Sequence, residues 1–302
     1  MSGASAAESV DVAIEAAGGT LHGTLTVPAT ATPVPVVLIL PGSGPTDRDG
    51  NQPGYRQDVY RLLAEGLAAD GIASLRIDKR GVGASAAAMP SEEGVTVETY
   101  LADTVEWMEF LEVDDRFSSL SLIGHSEGAL YAILAAENVP VSALILISGI
   151  GRPAADAIRW QLDRADMPAA LREEAENALV ALEAGRTVAD PPESLSALLR
   201  PAIQPYLISW FAIDPVERLA ELAVPALILH GATDLQVPVE DAKRLAAARA
   251  DVNLVVLDQV NHILRKALMD RQSNFATYSN PDLPLAAAVM PPITDFIRKH
   301  TE

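Results

Sequence analysis

The stretch Leu-Ser-Leu-Ile-Gly-His-Ser-Glu-Gly, residues 120–128, decides how this chain is expected to fold. It begins as an apolar run, passes through a Gly-x-Ser-x-Gly pattern and enters a helical pattern at residues 129–136. A serine at so sharp a strand-to-helix turn adopts a strained backbone, and the flanking glycines let the chain segments pass closely. The turn exposes the hydroxyl and directs helix N–H groups toward it. Ser126 is therefore a candidate nucleophile; an inert serine in a glycine-rich turn is the alternative.

Short runs of Val, Ile and Leu without polar alternation recur along the chain and are typical of strands buried on both faces. Segments of helical periodicity separate them, and this alternation predicts a parallel sheet covered on both sides. The carboxyl ends of such strands share one edge, where ligand sites form. The strand runs are Val34–Leu40, Ile72–Ile77, Leu120–Ile123, Ala143–Ile147, Ala226–Leu229 and Val252–Leu257, and the helical segments include Asp58–Ala69, Val97–Leu111, Gly128–Glu137 and Glu240–Ala250.

Two regions depart from the alternation. Residues 10–14 and 20–27 flank a Gly-Gly pair and predict an N-terminal antiparallel hairpin. Residues 152–214 carry no strand signal, and prolines occur where helix starts would fall, which indicates an inserted helical cap. The core would then comprise residues 1–151 and 215–302. The cap aromatics either pack its helices together or line a substrate pocket; the candidate substrate-binding residues are Trp160, Tyr206, Trp210 and Phe211.

With these features the chain resembles the α/β-hydrolase fold family over nearly its whole length. Within that family it is similar to esterase-like members with a Gly-Ser-Gly-Pro-Thr-Asp-Arg-Asp-Gly loop after an early strand, present here as residues 42–50. The resemblance implies an α/β fold with a mostly parallel central sheet flanked by helices. It also implies an ester hydrolase with a catalytic triad.

The general base is sought among five histidines. His262 follows the last strand run and so belongs to the same sheet edge as Ser126, which makes it the candidate base. The other four lie in the opening hairpin, beside the nucleophile, at the end of a buried strand and near the last residue: His22, His125, His230 and His300.

An acid must hold the base in one tautomer, and in this fold it lies between the serine and the histidine in the chain. Asp234 has that position, just past an apolar strand and in the Gly-x-x-Asp pattern that the resemblance predicts. One alternative is that Asp234 caps the helix after Pro238. Asp258, at another strand end, is the fallback acid.

The oxyanion hole is implied by the resemblance. The backbone N–H of Ser43, with Gly42 as the alternative, would pair with that of Glu127, and each donor contributes on the order of 3 kcal/mol. The family often has a histidine where this chain has Pro41, which leaves backbone donors unaffected. The charged residues 47–49 either order this loop through ion pairs or form a solvated turn.

The segment Asp78–Ser85 contains a Gly-x-Gly-x-x-Ala pattern that superficially matches a dinucleotide-binding loop. Such a loop must open a helix, whereas here Pro90 and Gly94 interrupt the residues after the glycines, so we reject that function. The segment resembles the family's Asp-x-Arg-Gly-x-Gly-x-Ser turn, whose role is largely structural. No metal-ligand spacing and no Gly-x-x-x-x-Gly-Lys loop occurs, so we expect no metal and no cofactor.

Composition excludes several classes of protein. The 302 residues include no cysteine, which rules out disulfides and a cysteine nucleophile. A formal charge of −19 disfavours nucleic acids and anionic membranes as partners, and neutral or cationic substrates fit better. No run approaches the roughly 20 apolar residues of a membrane span. Residues 1–8 lack a secretory signal, so we expect a cytoplasmic protein, or an exported one whose leader has been removed. Oligomeric state is not indicated.

The sequence thus predicts a serine carboxylesterase that acts through a Ser-His-Asp triad and an acyl-enzyme on a small-molecule ester. A cap of this size indicates a confined pocket, hence short- to medium-chain acyl groups. A peptidase, thioesterase or acyltransferase with the same triad is the nearest alternative. A non-catalytic ligand-binding protein is the alternative from another class, since fold does not fix function.

Overall fold

One eight-stranded sheet runs through the molecule. The structure is a computed structural model that describes residues 7–301, so most of the N-terminal stretch searched for a secretory signal lies outside the described residues. The strands are β1 (Glu8–Ala16), β2 (Gly19–Val27), β3 (Val34–Leu40), β4 (Ala73–Ile77), β5 (Phe117–His125), β6 (Ala143–Ile147), β7 (Ala226–Gly231) and β8 (Asn253–Leu257).

The strand order is β1-β2-β4-β3-β5-β6-β7-β8. The hairpin of β1 and β2 is antiparallel and joins β4 in antiparallel register. All neighbours from β4 to β8 are parallel, so their carboxyl ends share one edge of the sheet. The predicted fold class, a mostly parallel sheet with an N-terminal antiparallel hairpin, is confirmed.

The central strands are buried on both faces because their side chains alternate between two apolar layers. In β3, Val36, Leu38 and Leu40 belong to one buried cluster, while Val37 and Ile39 belong to the other. This burial explains why the strands read as unbroken apolar runs.

Helices cover both layers. Helices α2 and α3 pack on the first cluster, and helices α1 and α11 pack on the second. The helices are α1 (Val59–Ala69), α2 (Val97–Glu112), α3 (Gly128–Ala135), α4 (Ala154–Leu162), α5 (Ala169–Glu183), α6 (Ser196–Leu199), α7 (Gln204–Phe211), α8 (Pro215–Glu221), α9 (Val239–Ala246), α10 (Arg271–Ala276) and α11 (Met290–Thr301), with 3₁₀ turns at Gly83–Ala88, Glu193–Leu195, Pro201–Ile203 and Thr277–Ser279. Within residues 7–301, none of these helices combines the length and apolar character needed to cross a membrane.

We use the name cap for residues 152–214, which contain α4 to α7 between β6 and β7. At its start, Arg152 Nε donates to Asp241 Oδ1 over 2.6 Å. Farther along, the Ser209 hydroxyl accepts the backbone N–H of Val97, the first residue of α2, over 2.9 Å. The cap is thus fixed to the core by polar contacts on two sides.

Candidate active site

The turn at Ser126 has the strained geometry that the sequence predicts. Ser126 has a φ of 55°, a left-handed conformation that non-glycine residues rarely adopt. A Cβ at Gly124 would overlap the backbone of Gly128 and Ala129, and a Cβ at Gly128 would overlap the carbonyl of Leu40. Both glycines are therefore needed for the close crossing that presents the serine at the sheet edge.

Four loops leave the same edge of the sheet and bring the candidate residues together. Ser43 follows β3, Ser126 follows β5, Asp234 follows β7 and His262 follows β8. Because parallel strands end on one side, residues far apart in sequence converge above their carboxyl ends.

His262 and Asp234 form a buried pair. The Nδ1–H of His262 donates to Asp234 Oδ2 over 2.7 Å, which leaves Nε2 as the basic nitrogen. The other carboxylate oxygen, Oδ1, accepts the backbone N–H groups of Gln236 (2.8 Å) and Val237 (2.9 Å). Burial by itself would raise the pKa of Asp234, but His262 and these hydrogen bonds hold it below its ordinary value. The carboxylate is therefore ionised and oriented toward the ring.

The alternatives for the acid have other surroundings. Helix α9 begins after Pro238 and receives no side-chain cap, so Asp234 does not cap it. Asp258 is exposed after β8 and makes neither a hydrogen bond nor an ion pair with His262. The geometry favours Asp234 as the partner of the base.

Ser126 and His262 line one cavity of about 1220 Å³. Their side chains make no hydrogen bond to each other in the described part of the chain. The hydrogen bond between a nucleophile and its base commonly forms or tightens only when substrate binds. We therefore expect Ser126 and His262 to pair in the substrate complex.

The two predicted oxyanion donors are backbone amides that are available to a ligand. Among residues 7–301, the backbone N–H groups of Ser43 and Glu127 have no hydrogen-bond acceptor. The N–H of Gly42, the alternative donor, is occupied by the hydroxyl of Tyr60 at 2.9 Å. This difference favours Ser43 over Gly42.

A chain of neutral hydrogen bonds connects three of the loops. The Tyr60 hydroxyl accepts from Gly42 and donates to His125 Nδ1 over 2.9 Å. The Nε2–H of His125 then donates to the carbonyl oxygen of His262 over 2.8 Å. Burial lowers the pKa of His125 to about 3, so its ring stays neutral while it joins Tyr60 to the carbonyl of His262.

We predict that His125 makes stability fall in mild acid. The unfolded chain takes up a proton near pH 6.5, and the folded chain does so only at about 3, so the unfolded state binds more protons between these values. The free energy of unfolding should therefore drop as pH falls through this window, by roughly 2 kcal/mol at pH 5. Urea unfolding at pH 7 and pH 5 measures the drop. His125→Gln, which keeps an amide donor and acceptor, should reduce it by that amount; an equal drop in both proteins would refute the prediction.

The charged loop at residues 47–49 is ordered by ion pairs, so a solvated turn is the wrong interpretation. Arg48 Nη2 lies 2.8 Å from Asp78 Oδ2, and the backbone N–H of Arg48 donates to Asp78 Oδ1 over 2.7 Å. Asp49 pairs with Arg76. Asp78 and Arg76 are buried, and buried charges are retained when they are paired, so the loop is held against the sheet.

The four cap aromatics occupy different places. Trp160 lines the large cavity, and Trp210 lines a second compartment of about 10 Å³ that also reaches Ser126. Tyr206 and Phe211 line neither of these two compartments, and their role in substrate binding stays a prediction. Both side chains are buried, and the Tyr206 hydroxyl is paired with the carboxylate of Glu127.

Several cavity residues were not identified from the sequence. Gln52 and Tyr55 come from the loop after β3, and Phe275 and Tyr278 come from α10 and the turn after it. Their spacing of three residues places Phe275 and Tyr278 on one side of a helical turn. That spacing, together with the Asp270 side chain that caps α10, was the available signal.

Comparison with known proteins shows similarity to hydrolases. The model described as Alpha/beta hydrolase family matches residues 36–276. The chain is 27% identical over 248 residues to Esterase EstD of Thermotoga maritima, a match that covers 81% of this chain and 58% of that protein. The chain therefore spans just over half the length of this curated relative.

Solved structures share the fold. Est1E from Butyrivibrio proteoclasticus with ferulic acid bound has a TM-score of 0.64 at 20% identity and covers 96% of this chain and 98% of its own. The Pyrococcus furiosus esterase Pf2001 has a TM-score of 0.63 at 18% identity, covering 98% of this chain and 92% of its own. The esterase domain of a Rhodothermus marinus protein has a TM-score of 0.61 at 21% identity, covering 98% and 100%.

Proposed function

The chain belongs to the alpha/beta hydrolase family, and from that premise we propose that it is a serine carboxylesterase with Ser126 as nucleophile, His262 as base and Asp234 as the acid that orients the base. One observation carries the proposal. A serine on a strained strand-to-helix turn shares a cavity with a histidine whose Nδ1–H is bound to a buried carboxylate over 2.7 Å. This is the arrangement that acyl transfer to serine requires.

The proposed reaction has two steps. His262 Nε2 takes the Ser126 proton as Oγ attacks the ester carbonyl, and the same proton then goes to the departing alcohol oxygen as the acyl-enzyme forms. Water next loses a proton to His262 and attacks the acyl carbon; the bond between the acyl carbon and Ser126 Oγ then breaks, and His262 returns the proton to Oγ as the acid leaves. In both steps the amides of Ser43 and Glu127 stabilise the oxyanion.

The position of His262 indicates which compartment holds the alcohol half of the ester and which holds the acyl half. The base must reach the leaving oxygen, so the alcohol belongs on the side that His262 lines, which is the cavity of about 1220 Å³. The acyl group then occupies the second compartment that Ser126 lines, where Leu130, Trp210 and Ile213 border about 10 Å³. Since about 10 to 15 Å³ holds a single water molecule, we propose short acyl groups on bulky alcohols, the short end of the range that the sequence predicts.

Hydrolysis of p-nitrophenyl esters from acetate to laurate tests the function. We expect turnover that is fastest for the shortest acyl chains, and phenyl acetate should exceed methyl ferulate because its acyl half is the small one. Matched thioester and amide substrates distinguish an esterase from a thioesterase or a peptidase. No turnover of any oxygen ester, together with no labelling by a fluorophosphonate, would contradict the proposal and favour a ligand-binding protein.

Trp210→Ala is expected to relax the acyl preference. Removing the indole enlarges the small compartment, and each accommodated methylene contributes about 1 kcal/mol or more to discrimination in an apolar pocket. The ratio of kcat/KM for p-nitrophenyl butyrate to that for acetate should rise by roughly tenfold or more.

Trp160→Ala is the matched control, because Trp160 lines the cavity assigned to the alcohol and not the small compartment. It should leave the acyl ratio unchanged and alter the preference among alcohols. If Trp160→Ala, and not Trp210→Ala, changes the acyl ratio, the two compartments have been assigned the wrong way round.

A further inference from the structure

Lys79 contacts the loop after β3, which carries Gly42 and Ser43, and it takes no part in the proposed proton transfers. Its side chain is only 10% exposed, and it lines neither of the two compartments that meet at Ser126. Its ammonium Nζ donates to the carbonyl oxygen of Gly42 over 2.7 Å and lies 3.6 Å from Glu127 Oε2. The ring of Tyr100 adds a cation–π contact with Nζ 5.9 Å from its centroid.

The Gly42 carbonyl and the Ser43 N–H belong to the same peptide group. In a planar trans peptide the C=O and N–H bonds point in opposite directions, so a group that holds the oxygen also fixes the direction of the N–H. Lys79 holds this oxygen from inside the protein, and the Tyr60 hydroxyl holds the preceding N–H of Gly42. The hydrogen bonds from Lys79 and to Tyr60 therefore fix the orientation of the Ser43 N–H.

The second contact of Lys79 reaches the other donor residue. Glu127 supplies the second oxyanion amide through its backbone, while its side chain faces Lys79. The other carboxylate oxygen of Glu127 accepts the Tyr206 hydroxyl of the cap. One ammonium group thus contacts both segments that form the oxyanion hole, the loop after β3 and the turn after β5.

We propose that Lys79 is a positioning residue of the oxyanion hole, and this inference rests on the proposed function. The charge of Lys79 fixes the Gly42–Ser43 peptide and polarises it, so that the Ser43 N–H becomes a stronger donor. It also holds this peptide in a constant position relative to the Glu127 amide. Lys79 acts through these backbone groups and touches neither the substrate nor the reacting atoms. The segment Asp78–Ser85, interpreted from sequence as a structural turn, therefore also supports the chemistry.

A purely structural role is the competing explanation. A buried ion pair costs stability when one partner is removed, whatever its effect on chemistry. The two roles differ in what they predict, because oxyanion stabilisation acts in the transition state and leaves ground-state binding unchanged.

Lys79→Met, which keeps the length of the side chain and removes its charge, is the test variant. We expect kcat for p-nitrophenyl acetate to fall by about 10- to 100-fold with KM within about twofold of the wild-type value. The affinity for a trifluoromethyl ketone, which forms a tetrahedral oxyanion on the nucleophile, should fall by a similar factor. Lys79→Arg keeps the charge and should restore part of the loss, and Lys299→Met, at an exposed lysine of α11, is the charge-matched control.

Wild-type kcat in folded Lys79→Met, or a rise in KM with unchanged ketone affinity, would overturn the inference. Melting temperature and circular dichroism establish that the variant is folded. If the methionine variant does not fold, Lys79→Gln replaces it, and the same two outcomes decide. Wild-type turnover is measured in parallel: its absence would mean that the proposed esterase function fails, whereas its presence with a fully active variant rejects only the role of Lys79.

Discussion

Replacing Ser126 with alanine is expected to lower kcat for ester hydrolysis by about six orders of magnitude, because no other group can form the acyl-enzyme. The fold should persist, since alanine adds no atoms at the turn and keeps a Cβ in the same left-handed conformation. Stopped-flow measurement of p-nitrophenol release tests both steps: the wild type should give turnover, and the variant should give neither turnover nor a burst.

Ser148→Ala is a closely matched control. Ser148 likewise follows a central strand, β6, and has a φ of 50°, but it is fully buried and its hydroxyl has no hydrogen-bond partner in the described residues. The same substitution in the same backbone conformation should leave kcat within about twofold of the wild type. A burst retained in Ser126→Ala, or an equal loss in both variants, would contradict the role of Ser126.

Asp234→Asn is expected to lower kcat by about 10⁴-fold with little change in structure. Because Oδ1 accepts the N–H groups of Gln236 and Val237, the amide oxygen of asparagine should take that place and its NH₂ group should face His262. His262 Nδ1 would then have to accept a hydrogen bond, and its proton would move to Nε2. The ring would face Ser126 in the tautomer that cannot act as base.

Asp258→Asn separates the two candidate acids with the same chemical change. Asp258 is exposed and has no contact with His262, so this variant should retain wild-type kcat. Comparison of kcat for the two variants at pH 8, with unfolding curves as a check on structure, decides between them. Greater loss in Asp258→Asn would reassign the acid.

The parallel sheet could be predicted from sequence because burial on both faces leaves a clear pattern. Strands β3 and β6 have the predicted bounds, Val34–Leu40 and Ala143–Ile147, since every position there except Pro35 belongs to one of the two apolar clusters. Strand β5 begins earlier than predicted, at Phe117, because Ser118 and Ser119 precede the apolar run although both lie in the strand. Polar residues inside a strand thus hid its true start.

Helices near the carboxyl end of the chain were not predicted. Helix α11 begins at Met290 and carries Pro291 and Pro292 in its first turn, where proline is tolerated because the missing N–H groups have no helical partner. Helix α9 ends at Ala246, four residues before its predicted end.

The candidate triad could be located from sequence because each member follows a recognisable strand at a shared edge. The surroundings of the triad could not, because they depend on how distant segments pack. Which cap aromatic faces Ser126 depends on the rotation of α7, which turns Trp210 toward the small compartment and Tyr206 toward Glu127. Likewise, no local pattern indicates that Lys79 reaches the carbonyl of Gly42, 37 positions away.

The most direct test of the central claim is to locate a covalent adduct. The wild-type protein is treated with a fluorophosphonate, which reacts with an activated serine, and is then digested and mapped by mass spectrometry. We predict a single adduct on the peptide that contains Ser126, with no adduct when Ser126 is replaced by alanine. An adduct on a different serine, or no adduct in a protein that still hydrolyses esters, would show that Ser126 is not the nucleophile.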